Sequence, residues 1–203
     1  MADLEGAPTV IASYNYEDIE DLGGTLKYYF YIAQDNTGEQ YLLGKDNPYS
    51  VVNGLDTSAA TETWTWDTGA FTTTRVIGGT STVNMTVHTQ GDTGGTATLT
   101  YNLYHYDGST ETLIGTAITG NLGGGVSPIT QSVLNKIVIT PTRFKRGDTL
   151  RLKIVWAQSY GAGQKLVRYG TDPQNRDFTD ITPSTDADEF TSSYIMIPFR
   201  IDD

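Results

Sequence analysis

The sequence predicts an all-β protein: an antiparallel, jelly-roll-like β-sandwich of about 8–10 strands with little or no helix. Short runs in which apolar and polar residues alternate recur along the chain, separated by turns rich in Gly, Asp, Asn and Thr. Gly, Thr and Tyr are abundant and charged residues make up only 18% of the chain, which is typical of sheets joined by tight turns. No window shows a clear amphipathic-helix period.

The most regular strands are predicted in the second half of the chain. Apolar residues alternate with polar ones around Val83–Val87, around Leu99–Leu103 and, most regularly, over Leu150–Trp156. Asp107-Gly108 separates the second of these runs from Thr112–Ile118. Asp-Gly between two alternating runs predicts a hairpin, because type I′ turns need a positive φ at both central residues.

Two prolines are expected to end or distort the remaining predicted strands. The β-branched run Leu134–Thr140 is expected to close at Pro141. Pro198 lies inside the last apolar run, Ile195–Ile201, and it predicts an edge strand or a bulge there because proline cannot donate to a ladder.

The first half is less regular. Strands are expected at Leu26–Ala33, at Gln40–Leu43 and around Trp64. Long connections favour jelly-roll or Greek-key wiring over a simple up-and-down barrel; these are Asn47–Thr61, Gly120–Gln131 and Thr171–Asp188. We expect residues 1–24 to form an N-terminal arm or extension and residues 25–203 to form a single sandwich domain.

Composition limits the classes of partner. The formal net charge is 13 − 24 = −11, so we expect no binding to nucleic acid and none to an anionic membrane surface. There is no cysteine, which excludes a disulfide framework and cysteine-ligated zinc. Met1–Pro8 has neither a basic nor an apolar region, so we expect no secretory signal and synthesis in a cytoplasm.

Catalytic chemistry finds little support in these residues. The acidic residues lie mostly in predicted turns and loops, as Asp35, Asp107 and Asp148 do, where Asp is favoured for its local hydrogen bonds. His88 and His105 lie on different predicted strands with no carboxylate at ligand spacing. We therefore predict no catalytic residues, no metal site, no cofactor and no enzymatic activity; a structural Ca²⁺ held by turn oxygens stays the weaker alternative.

The aromatic residues have two interpretations. Tyr28–Tyr31 run consecutively, and Trp64 with Trp66 and Tyr104 with Tyr106 each place two rings on one face of a strand. Buried rings would fill the core of a sandwich. Exposed rings would stack on sugars or anchor a protein interface.

Five of the thirteen cations lie within eleven residues of this acidic chain; they are Arg143, Lys145, Arg146, Arg151 and Lys153. A solvated hairpin explains this cluster. A positive patch that meets an acidic surface on another subunit explains it equally, and such a patch sets the register of a contact more than its affinity.

Three motifs follow one another in the second half: PTRFKRGDTLRL from Pro141, RYGTDPQNR from Arg168 and IPFRID from Ile197. In this order they resemble the jelly-roll auxiliary or decoration (minor capsid) proteins of tailed bacteriophages, over about residues 25–203. The resemblance implies a structural virion protein at the capsid surface, made in the host cytoplasm. It implies non-covalent contact with major capsid subunits and a homo-oligomer, with a trimer favoured.

On this resemblance the contact residues fall in two groups. The first belongs to the cationic cluster and the second to the loop after Arg168, for which a plain crossover is an equal interpretation; they are Arg143, Lys145, Arg146 and Arg151, and Tyr169, Asp172, Asn175 and Arg176. The alternative function is a carbohydrate-binding or receptor-binding β-sandwich module of the tail-fibre or adhesin type, which would show coplanar exposed rings flanked by Asn, Asp or Gln.

Overall fold

The computed structural model describes residues 24–35, 38–45, 54–57, 59–90, 95–123, 129–159, 166–170 and 193–200. Within these ranges all regular secondary structure is β-strand. The strands are β1 Thr25–Asp35, β2 Gly38–Gly44, β3 Gly54–Thr57, β4 Thr61–Thr68, β5 Arg75–Gln90, β6 Thr96–Tyr106, β7 Glu111–Ile118, β8 Leu122–Gly123, β9 Ile129–Phe144, β10 Thr149–Gln158, β11 Leu166–Gly170 and β12 Tyr194–Arg200.

The strands form one large sheet that curls into a barrel-like sandwich. Its order is β3-β11-β5-β12-β1-β2-β4-β10-β6-β7, with β9 paired to β5 and β8 paired to β6. All pairs are antiparallel except the short contact of β2 with β4. The predicted all-β class is confirmed. The described residues contain twelve strands, more than the expected count, because β3 and β8 lie in segments predicted as connections and β11 runs into the predicted loop after Arg168.

The alternation of buried and partly exposed residues along a strand shows where the core lies. Along β10 every second residue from Leu150 to Trp156 is buried, while the residues between them are partly exposed. β10 pairs with β4 on one side and with β6 on the other, so its buried side chains lie at the centre of the interior. A fully extended strand flanked by two others is stabilised mainly by this burial of one face.

Large aromatic side chains fill the interior. Trp66, Trp156, Tyr28, Tyr101 and Phe30 are among the largest fully buried side chains. The rings of Phe30 and Trp66 stack with centroids 5.4 Å apart. Burial raises the pKa of both Tyr28 and Tyr101 above the usual value for a phenol. For these residues the core interpretation of the aromatic runs is therefore confirmed.

Both prolines lie at irregularities of the ladder. The sequence predicts that this strand ends at Pro141, but β9 continues to Phe144. Its pairing with β5 has a register shift between Ile77 and Gly79. A Cβ on Gly78 would lie 2.8 Å from the Cα of Pro141, so the close approach requires glycine there. Pro198 also lies at a register shift of β12 against β5, which confirms the predicted bulge.

The two strands β7 and β9 lie against each other where the sheet curls round, and no ladder joins them among the described residues. A Cβ on Gly115 of β7 would lie 2.8 Å from Cγ2 of Ile137 and 2.9 Å from the carbonyl oxygen of Val138 on β9. Glycine at this position therefore permits the close approach. We call this contact the seam.

The described part of the chain contains no helix long and apolar enough to cross a membrane. The predicted N-terminal arm, residues 1–24, lies outside the described residues except for Gly24. The backbone carbonyl of Gly24 accepts a hydrogen bond from the amide of Phe199 at 2.7 Å, which fixes the start of β1 against β12.

Candidate functional site

Three turns meet at one end of the sandwich. They are the loop of residues 69–74 after β4, the turn of residues 107–110 between β6 and β7, and the turn of residues 145–148 between β9 and β10. They lie together because β10 begins between the ends of β6 and β4: Thr149 is the ladder partner of Tyr106 on β6, and Arg151 is the partner of Asp67 on β4. We call this end of the sandwich the turn end.

Asp148 organises the turn between β9 and β10. Gly147 adopts φ 96°, a left-handed conformation that costs glycine little, and the chain then enters β10. The Oδ2 atom of Asp148 accepts a hydrogen bond from the backbone amide of Lys145 at 2.7 Å. The backbone amide of Asp148 donates to the carbonyl of Lys145 at 3.1 Å. Together these bonds close the turn from both sides.

His105 binds the same carboxylate from β6. Its Nε2 atom lies 2.6 Å from Oδ2 of Asp148, and its ring packs edge-on against Phe144 with centroids 4.6 Å apart. Burial raises the pKa of Asp148, but the hydrogen bonds from Lys145 and His105 together lower it by more than burial raises it. The pKa therefore lies below the usual value. The ionised carboxylate thus ties the turn to the neighbouring strand.

The loop after β4 is held by the same turn. The amide of Gly147 donates to the carbonyl of Phe71 at 2.8 Å, and the amide of Phe71 donates to the carbonyl of Asp148 at 2.9 Å. The Phe71 ring packs edge-on against Phe144, with centroids 5.3 Å apart. The guanidinium of Arg75 lies over the Phe71 ring at 4.6 Å. The turn end is therefore fixed by backbone bonds as well as by side chains.

The turn between β6 and β7 is equally well defined. The Oδ1 atom of Asp107 accepts hydrogen bonds from the amides of Ser109 and Thr110, at 2.9 and 2.7 Å. These bonds lower the pKa of Asp107. Gly108 adopts φ 93°, and the Tyr106 hydroxyl donates to its carbonyl at 2.8 Å. The predicted hairpin is thus confirmed, but its loop has the four residues 107–110, with Asp107 first, instead of the two residues of a type I′ turn.

Three cations lie at this fixed turn. Lys145 and Arg146 are exposed in the turn between β9 and β10, and Arg143 is exposed two residues before Lys145 on β9. The amide of Lys145 is held by Asp148, so the backbone that carries these side chains is anchored at the turn. The arrangement can bind carboxylates on another molecule at a defined position.

Arg151 is engaged within the molecule instead. Its guanidinium donates to both carboxylate oxygens of Asp67, at 2.7 and 2.6 Å, and to Glu111 at 2.5 Å. Lys153 donates to the other oxygen of Glu111 at 2.5 Å. These contacts raise the pKa of Arg151 and, with Lys153 as the largest cause, lower that of Glu111. These charge-assisted hydrogen bonds join β4, β10 and β7, and we call them the charge ladder.

Two tyrosines of β6 lie under Arg151 and Lys153, the cations of the charge ladder. Tyr104 and Tyr106 are half-buried. The guanidinium of Arg151 lies 3.9 Å from the Tyr106 ring centroid, and the ammonium of Lys153 lies 5.2 Å from that of Tyr104. A ring face in contact with a cation is not open for stacking on a sugar.

The predicted contact residues divide into three groups. The first group lies together at the turn end; it is Arg143, Lys145 and Arg146. Arg151 lies beside this group in the charge ladder. Tyr169 lies on β11, opposite Leu55 and Val87 in the ladders. The others lie outside the described residues; they are Asp172, Asn175 and Arg176.

Sequence reasoning missed the groups that hold the turn end: Phe71, His105 and Asp148. From the sequence, Asp148 is predicted only as a turn residue. The sequence carries one further signal, a histidine in an otherwise apolar inward series on β6. His88 and His105 lie on β5 and β6, which do not pair in the described ladders. The described residues contain no group of three or more His, Cys, Asp or Glu arranged to hold a metal ion.

Comparison with known proteins finds likeness in structure only. No protein-family model and no curated protein matches the chain. A CocE/NonD family hydrolase from Staphylococcus aureus superposes with a TM-score of 0.52 at 10% identity, covering 88% of this chain and 37% of that one. An aminopeptidase from the marine sediment archaeon Thaumarchaeota archaeon gives 0.56 at 9% identity, covering 87% and 37%. The chain thus spans little more than a third of the length of these proteins.

These likenesses correct one prediction. From its sequence the chain is predicted not to be an enzyme, because no catalytic motif is visible in it. That prediction was wrong, since the structures that match are a hydrolase and an aminopeptidase. At such low identity the likeness shows the fold alone. A missing motif therefore does not separate this chain from hydrolase folds.

Proposed function

We propose that this chain is a structural virion protein that decorates or cements a phage capsid through non-covalent contacts with major capsid subunits. The observation that carries the proposal is the turn end, where Lys145 and Arg146 are exposed on a turn anchored by Asp148. A protein that repeats one contact over a shell needs its contact groups at fixed positions. The cations suit an acidic site on the shell, although the chain itself has a net charge of −11.

The same proposal includes self-association, with a trimer favoured. Aliphatic side chains of β7 beside the seam support a protein contact, because Leu113 and Ile118 are each more than half exposed. Exposed aliphatic side chains that cluster on one strand are typical of protein interaction surfaces. The mass of the purified chain by light scattering tests this part directly.

Arg146→Glu is expected to weaken binding to shells of the major capsid protein by about tenfold at low salt, because the reversal replaces attraction to acidic groups by repulsion. The measurement is the number of copies bound per shell after sedimentation, across a salt series. Thr61→Glu is the control: it adds a negative charge at an exposed position at the start of β4, the end of that strand away from the turn end. Equal binding by the wild type and Arg146→Glu would contradict the proposed contact.

A second candidate is a β-sandwich portion of a hydrolase-type protein. It is favoured by the match of 87–88% of this chain to 37% of a hydrolase and of an aminopeptidase. Assay of the purified chain on ester and peptide substrates tests it. Turnover would support this candidate over the capsid role, whereas saturable binding to shells would support the capsid role.

The carbohydrate-binding alternative has less support from the geometry. Two half-buried tyrosines on the outer face, Tyr104 and Tyr106, carry Lys153 and Arg151 over their rings. The same holds for Tyr29 and Tyr194, where the ammonium of Lys27 lies 4.7 and 4.0 Å from the two ring centroids. Stacking on a sugar would require these cations to move.

A further inference from the structure

The outer face formed by β9, β5, β12 and β1 is continuous and in register. Leu134, Asn84, Tyr194 and Tyr29 are successive ladder partners across the four strands. A second such row lies two residues further along each strand; it consists of Lys136, Thr82, Met196 and Lys27. We call this face the platform; its outward side chains include Lys27, Tyr29, Leu134, Lys136, Val138, Tyr194, Met196 and, at one end, Arg200.

The platform is apolar and cationic. Leu134 and Val138 are 64% and 74% exposed. Among the outward residues of these four strands whose side chains the structure describes there is no carboxylate, whereas Lys27, Lys136 and Arg200 are present. In a chain with 24 acidic residues, such a surface is complementary to an acidic segment that also carries apolar residues.

The platform has a firm surface. The ammonium of Lys27 lies between the Tyr29 and Tyr194 rings, within cation–π distance of both. Arg200 is held by a hydrogen bond from its Nε to the carbonyl of Gly78 at 3.2 Å. Lys27 and Arg200 are therefore positioned before any occupant arrives, which reduces the entropy that binding must overcome.

The chain itself contains a segment of the required chemistry. Residues 1–23 carry six acidic residues and neither lysine nor arginine, and they include Val10, Ile11, Tyr14, Tyr16 and Ile19. This segment joins the sandwich at Gly24, whose carbonyl is bonded to the amide of Phe199. Thr25, the next residue, is the ladder partner of Pro198 on β12, so the segment leaves the sandwich at the border of the platform.

We propose that residues 1–23 bind across the platform of their own molecule, with their carboxylates at Lys27, Lys136 and Arg200 and their apolar side chains on Leu134, Val138 and Met196. The reach is sufficient: 23 residues can extend up to roughly 75–80 Å, and four strands are only about 15–20 Å wide. Attachment at the border gives the segment an effective concentration of about the millimolar range at the platform. A contact within the molecule is thus favoured over the same contact between two molecules.

Cleavage of the full-length chain by a glutamate-specific protease tests the proposal, since Glu17 and Glu20 lie in the segment. Cleavage after these residues, followed by mass spectrometry, is expected to be about tenfold faster in Lys136→Glu than in the wild type, because cleavage follows the population of the released segment. Leu134→Ser is expected to accelerate cleavage in the same way through loss of apolar contact.

Arg146→Glu is the matched control and is expected to cleave at the wild-type rate, because it makes the same charge change at the turn end. Thermal melting verifies that each exposed substitution leaves the sandwich folded. Equal cleavage rates in the wild type, Lys136→Glu and Leu134→Ser would overturn the proposal. A wild-type rate that falls as the protein concentration rises would also overturn it, because the segment would then bind a second molecule.

Discussion

Replacing Trp156 with alanine is expected to lower the free energy of unfolding by about 3–5 kcal/mol, the range for truncating a buried tryptophan. The side chain is 0% exposed. It lies on β10, where its ladder partners are Glu62 on β4 and Leu99 on β6, so strands on both sides keep the interior from collapsing into the cavity. Urea denaturation followed by circular dichroism measures the change.

The matched control for Trp156→Ala is Ile118→Ala. Ile118 is 63% exposed on β7, and its truncation is expected to change the free energy of unfolding by less than about 0.5 kcal/mol. A loss below about 1 kcal/mol for Trp156→Ala would be too small for a filled interior site. It would place β10 away from the centre of the sandwich.

Replacing Asp148 with alanine is expected to lower the free energy of unfolding by about 2–4 kcal/mol at neutral pH, because the Lys145 amide and the His105 imidazole lose their common acceptor. The folded pKa of Asp148 lies below its unfolded value. Its contribution is therefore present above the unfolded pKa and is lost as the pH falls through the folded pKa. Denaturation curves of the two proteins across a pH series measure the difference.

Asp148→Asn separates charge from hydrogen bonding in this comparison. Asparagine keeps an oxygen that can accept the Lys145 amide, so the loss is expected to be smaller than for alanine. A stability difference between the wild type and Asp148→Ala that stays constant from neutral to strongly acidic pH would contradict the assigned role of the carboxylate. Equal losses for the two variants would show that only the charge matters.

The sequence predicted the fold where the pattern is local. The alternation from Leu150 to Trp156 and the Asp107-Gly108 hairpin are both found in the structure, because strand period and turn chemistry are properties of neighbouring residues. Pro141 was misread for the opposite reason. The strand is predicted to end at this proline, but β9 is bonded to β5 alone in the described ladders, and a strand with one neighbour tolerates proline.

The turn end and the charge ladder could not be predicted because their partners are remote in sequence. Arg151 meets Asp67, which is 84 positions away, and Asp148 meets His105, which is 43 away. Only the order of strands brings these residues together. For the same reason the cationic cluster could not be divided in advance into Arg151, which pairs internally, and Arg146, which is exposed.

The contact of β7 with β9 also bears on how the protein tolerates crowding. Each of these strands has a backbone edge without a ladder partner among the described residues, and such edges can recruit strands from other molecules. Because Gly115 lets β7 and β9 approach closely, each edge shields the other. A larger residue at position 115 would separate them and make intermolecular strand addition, and with it aggregation, easier at high protein concentration.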